Sequence, residues 1–174
     1  MNTAEASGQS PEAHPTRRSG GLFIALVGVG IVRGVVFAGR NVFNVWFLIA
    51  GFALAMLSQF FSRRWSPNRP TRSQAFALIG SIILEMGLFI AFINLYPTML
   101  DDNPAHWWLI AFILVGIHFL PMSLAHGRPV AILGILCIAL ASAGLIVPAL
   151  PFAIVALLDG LLKIGVGGWM FVKR

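Results

Sequence analysis

Residues 107–125 read WWLIAFILVGIHFLPMSLA, a run whose one titratable side chain is His118 and which carries no formal charge at neutral pH. An α-helix crosses a bilayer with about 20 mostly apolar residues, so this stretch has the length and composition of a span. Five more runs have the same character, at about Gly21 to Ala38, Val42 to Phe61, Gln74 to Leu95, Val130 to Val147 and Phe152 to Val172. None alternates polar and apolar residues as a barrel strand does. Backbone N–H and C=O groups cannot stay unpaired in hydrocarbon, so the runs are expected to be helices. The expected fold is all-α: a polytopic membrane protein, a bundle of six transmembrane helices over residues 20–174. Residues 1–19, rich in Ser, Pro, Ala and Glu, offer nothing to bury and read as a disordered cytoplasmic tail.

Composition excludes the soluble alternatives. The chain has 174 residues, 58% hydrophobic and 10% charged, against about 25% charged in soluble domains. Six spans use about 120 residues, and what remains is divided among a tail of nineteen residues and short connections, so no single stretch reaches the roughly 40 to 60 residues of a further autonomous domain. A net charge of +6 in a soluble protein would suggest nucleic acid. Here the basic residues flank apolar runs, where cytoplasmic retention and anionic lipid headgroups account for them, and no nucleic acid partner is expected. The lone cysteine, Cys137, excludes an intrachain disulfide.

Loop charge sets the expected orientation. With the N-terminus inside, Arg17, Arg18, Arg63, Arg64, Arg69, Arg72, Arg128, Lys173 and Arg174 are cytoplasmic, and only Arg40 is outside. The positive-inside rule then places both termini in the cytoplasm of a multi-pass inner-membrane protein. Tyr96, Trp107 and Trp108 fall at the outer interface and Trp169 near the inner one, as amphipathic aromatics do. Arginine makes up ten of the twelve basic residues, a codon-usage hint of a bacterial source. A cleaved signal peptide is the competing reading of the N-terminus, but Arg33 interrupts its apolar core and no small-residue cleavage site follows.

Four charged side chains lie within the runs: Arg33, Glu85, Asp159 and Lys163. Each costs about 2.5 to 3.5 kcal/mol at a helix centre on insertion scales, so pairing is expected. Asp159 and Lys163 stand i, i+4 on one helix face. Arg33 and Glu85 remain as an expected interhelical pair. His118 precedes Pro121, which cannot donate to the carbonyl of Ile117 and should kink the helix beside the imidazole. His106 and His126 read as interfacial and solvated, and His14 as part of the tail. Glu85 and Cys137 could join His118 as metal ligands, but no ligand-spacing motif is present, and neither metal nor cofactor is expected. Asp101 and Asp102 fit an exposed turn, DDNP, better than a cation site.

Small residues mark close packing, as in Gly30, Gly34 and Ala38 of the first run, Gly87 and Ala91 of the third, Ala139 and Ala143 of the fifth, and Gly160, Gly165, Gly167 and Gly168 of the sixth. The runs also suggest an inverted 3+3 repeat. The first and fourth carry Arg33 and His118, the third and sixth carry Glu85 and Lys163, and each residue stands twelfth or thirteenth in its run.

Two stretches resemble known families. GIHFLP at 116–121 resembles a motif of small bacterial multi-spanning membrane proteins of uncharacterised function, which implies six helices and no assigned activity. LLDGLLKIGVGGW around Asp159 resembles a repeated glycine-containing element of the acid-resistance membrane protein family, although this chain lacks a clear second copy.

The sequence carries no nucleophile elbow, HExxH, P-loop or dinucleotide fingerprint. The expected role is non-enzymatic, accessory or structural. The alternative is a small proton-coupled transporter or channel in which Glu85 and His118 carry protons and Arg33 or Lys163 supplies the counter-charge. Expected partners are the bilayer, anionic headgroups at the cytoplasmic face, a second copy of the chain and, for transport, a proton or small solute.

Overall fold

A computed structural model of the chain describes residues 14, 16–61 and 70–173. The tail over 1–13 and the basic residues Arg63, Arg64, Arg69 and Arg174 lie outside the described residues. Among the described residues there are seven helices and no strand: α1 Arg17–Val36, α2 Val45–Phe60, α3 Arg72–Leu95, α4 Met99–Asp102, α5 Pro104–His126, α6 Arg128–Ile146 and α7 Phe152–Val172. Five of them, α1, α3, α5, α6 and α7, are long and apolar enough to cross a membrane.

Helix starts differ from the apolar runs for a physical reason. A polar first turn is invisible to hydropathy but is where orphan N–H groups need acceptors. Thr71 and Gln74 form a reciprocal capping box, so α3 begins at Arg72. Asn103 accepts from the His106 amide at 3.2 Å with Pro104 behind it, which starts α5 three residues before Trp107. α1 begins at Arg17, so Arg17, Arg18 and Ser19 are helical, and Ser19 donates to the Thr16 carbonyl at 3.0 Å.

The second run is trimmed instead. Asn44 accepts from the Trp46 amide at 3.2 Å and caps α2, while Gly39 at φ 63 turns the chain ahead of it. That leaves α2 sixteen residues, about 24 Å at 1.5 Å per residue and shorter than the roughly 30 Å hydrocarbon layer.

Packing follows two seams of close backbone approach. α1 lies antiparallel on α7, with Gly21 against Gly167 and Gly28 against Gly160. α5 lies on α6, with Gly116 against the Gly134 carbonyl. α2 packs on the other face of α1 through Gly30 and Gly51, and α3 packs on α5. Exchanging α1, α2 and α3 for α5, α6 and α7 maps α1·α2 onto α5·α6 and α1·α7 onto α5·α3. These are the pairings that an inverted three-helix repeat requires. One seam breaks the symmetry: α6 packs on α7, whereas no comparable seam joins α2 and α3 among the described residues.

The core has two apolar layers. One gathers Ile31, Phe43, Leu109, Phe112 and Val155, and the other Ile24, Phe119, Leu133, Cys137 and Met170. α1, α5, α6 and α7 supply nearly all of both. α3 stands outside them, with Phe76, Ile79, Ile83, Ile90 and Leu95 exposed.

Candidate functional site

Asp159 and Lys163 stand one turn apart on α7, on the face that α1 and α6 cover. Each is 1% exposed, and the Lys163 ammonium donates to Asp159 Oδ2. Lys163 Nζ also lies 3.5 Å from Cys137 Sγ on α6. The Phe112 and Phe119 rings, one from each core layer, lie 5.7 and 5.8 Å from the same ammonium. An ion pair in so dry a setting interacts strongly but must offset the desolvation of both ions, so its partners are held to each other. Asp159 Oδ1 has no hydrogen-bond partner among the described residues. Gly28 makes room for the pair: a Cβ there would come 2.9 Å from Lys163 Cβ.

A second polar contact joins α3 to α5. His118 Nδ1 lies 2.9 Å from Glu85 Oε2 and 3.0 Å from the Ser81 carbonyl. Both neighbours are acceptors, so Nδ1 carries a proton and shares it between them. The Glu85 side chain keeps 25% exposure, because among the described residues α3 is covered mainly by α5. Ser81 and Glu85 in α3 thus mirror Asp159 and Lys163 in α7: an i, i+4 polar pair turned toward the helix packed alongside.

The structure corrects the expected Arg33–Glu85 pair. Glu85 binds His118, while Arg33 is exposed on α1 and has no carboxylate partner among the described residues. The cause is topological, since α3 packs on α5 rather than α1. α5 runs as one helix from Pro104 to His126 with Pro121 inside it.

His126 is also corrected. It is 4% exposed rather than solvated, with Nδ1 3.0 Å from the Thr16 carbonyl and 3.1 Å from Thr16 Oγ1. Thr16 in turn donates to the Ala125 carbonyl at 3.0 Å. A Cβ on Gly20 would fall 2.4 Å from the imidazole. This clamp ties the start of α1 to the end of α5, more than a hundred residues away along the chain, and no local sequence signal announces it.

The potential metal ligands do not converge. Glu85 and His118 meet, but Cys137 turns to Lys163, and no group of three metal-ligating side chains forms among the described residues. What the geometry can do is hold two polar contacts, an ion pair sealed in the core and a histidine–carboxylate contact at the bundle edge.

A model for a family of unknown function (DUF6609) matches residues 7–174. No curated protein and no solved structure matches the chain. Nothing in these comparisons supports the acid-resistance resemblance around Asp159.

Proposed function

The chain belongs to DUF6609, a family of unknown function, and from that premise we propose a non-enzymatic integral protein of the bacterial inner membrane, accessory or structural, whose buried charges specify the bundle. The observation that carries this reading is the closure of Lys163 on Asp159 between two phenyl rings, each ion 1% exposed. A solute path would hold such charges against water; these are sealed by apolar side chains.

In this reading α2 is the sixth crossing. Its exposed Trp46, Ile49, Phe52, Leu54 and Phe60 give it no aqueous face, and a short span is accommodated by local bilayer thinning. Orientation is supported by the ends of the bundle. Arg17, Arg18, Arg72, Arg128 and Lys173 begin or end helices at the end where the Thr16–His126 clamp sits, while Arg40, Asp101 and Asp102 lie at the other. Positive-inside bias puts the first end in the cytoplasm. Reporter fusions after residue 174 and within 63–72 are therefore expected to read cytoplasmic, and a periplasmic signal from either overturns the orientation.

The transport reading has its own support in the Glu85–His118 contact, whose carboxylate is a quarter exposed at the α3–α5 edge. If Glu85 carries protons, Glu85→Gln abolishes pH-linked flux in proteoliposomes while expression and helicity hold. If the pair is structural, wild-type and variant vesicles keep an imposed pH gradient equally well.

A further inference from the structure

Toward the basic end of the bundle α6 and α7 part, and an open groove of about 340 Å³ runs between them, lined by Pro129 and Ile132 on one side and Gly165, Val166 and Trp169 on the other. The parting follows from how α7 uses its glycines. Gly160 and Gly167 carry the close approach to α1, whereas a Cβ on Gly165 or Gly168 would meet nothing within 4 Å. The lining is apolar apart from the indole N–H of Trp169, which is 45% exposed.

The mouth of the groove is cationic. The Arg17 guanidinium lies 4.7 Å and the Lys173 ammonium 4.9 Å from the centre of the Trp169 ring, and exposed Arg128 immediately precedes Pro129. Arg17 Nε is shielded from solvent and has no hydrogen-bond partner among the described residues. The described carboxylates are Glu85, Asp101, Asp102 and Asp159, none of them at this end. Gly165 stands seven residues in from Val172, about 10 Å along the helix axis, so the apolar part lies just beneath the charges.

We propose that this groove binds one anionic phospholipid, an acyl chain lying along Gly165 and its headgroup phosphate held by Arg17, Lys173 and Arg128. Charge complementarity selects this occupant: three cations, with no carboxylate near them among the described residues, border an apolar channel at the depth where glycerol gives way to acyl chain. The inference rests on the bundle lying in a membrane. Its test reads lipid retention in detergent, so failure would leave that reading intact.

The experiment is native mass spectrometry of the full chain purified in mild detergent and titrated with phosphatidylglycerol or phosphatidylcholine. One phosphatidylglycerol per chain is expected to survive activation that strips phosphatidylcholine. Gly165→Leu fills the groove and is expected to lose the lipid while circular dichroism and melting temperature hold. Arg17→Gln with Lys173→Gln is expected to weaken retention by roughly twenty-fivefold, at about fivefold per basic group. Equal retention of the two lipids overturns the proposal, as does wild-type retention of phosphatidylglycerol by the folded Gly165→Leu chain or by the doubly neutralised one.

Discussion

Lys163→Met alone is expected to cost about 3–5 kcal/mol of folding stability, whereas Asp159→Val and Lys163→Met together are expected to fold close to the wild-type level. The single change leaves the Asp159 carboxylate at 1% exposure without its cation, and its Oδ1 already has no hydrogen-bond partner among the described residues. A loss of that size is a large part of the 5–15 kcal/mol that typically separates folded from unfolded chains. The double change removes both desolvation penalties and leaves an apolar seam of similar volume, which is often neutral or stabilising. Equilibrium unfolding of the three proteins in mixed micelles reads the difference. A double variant as unstable as Lys163→Met would mean that the charges do more than neutralise each other, and the structural reading of the pair would fall.

The sequence reaches this pair because an i, i+4 contact is local: spacing on one helix decides it before any tertiary arrangement is known. Arg33 and Glu85 show the limit of the same reasoning. Charge conservation made them partners by elimination, but which helices touch is set by packing. His118 was available all along, and it becomes the partner of Glu85 only because α3 lies on α5. Cys137 belongs with Lys163 for the same kind of reason, through the α6·α7 seam. The Thr16–His126 clamp is more remote still, since neither residue lies in an apolar run with a pattern to read.

Helix identity was legible for a different reason. An apolar run in a chain with 10% charge has one way to satisfy its backbone in hydrocarbon. Boundaries were harder, because capping residues such as Thr71 and Asn103 are polar and a hydropathy reading discards them, while Asn44 is a cap hidden inside an apolar run. The helix pairings are those an inverted repeat requires, but the charged residues do not follow them, since His118 binds Glu85 while Arg33, at the matching place in the first run, has no carboxylate partner among the described residues. The seam that breaks the symmetry is why the two related polar pairs differ in burial. α7 is covered by both α1 and α6, but among the described residues α3 packs mainly on α5, so Asp159 and Lys163 are sealed while Glu85 reaches the edge.

Glycine spacing carries the second large effect. Gly28→Ala is expected to lower the melting temperature sharply, while Gly165→Ala is expected to raise it slightly. The reason lies in what each new methyl group meets. At Gly28 a Cβ would fall 2.6 Å from the Gly160 carbonyl oxygen and 2.9 Å from the Ile164 amide nitrogen, both backbone atoms. No rotamer change relieves that clash, so α1 and α7 must separate along the seam that also encloses Asp159 and Lys163. Overpacking typically costs about 1–3 kcal/mol, and a rigid backbone neighbour places this site at the upper end. At Gly165 the Cβ meets nothing, so replacing glycine in a helix interior gains roughly 0.5–1 kcal/mol from backbone entropy. Gly167→Ala, whose Cβ would come 2.5 Å from the Gly21 carbonyl oxygen, should follow Gly28→Ala. Sequence alone marks Gly165 and Gly167 alike and passes over Gly28, because small residues on a helix look alike until a partner is placed against them. Melting curves of the three variants in one detergent separate the cases, and equal shifts at Gly28 and Gly165 would mean that α1 and α7 do not meet as described.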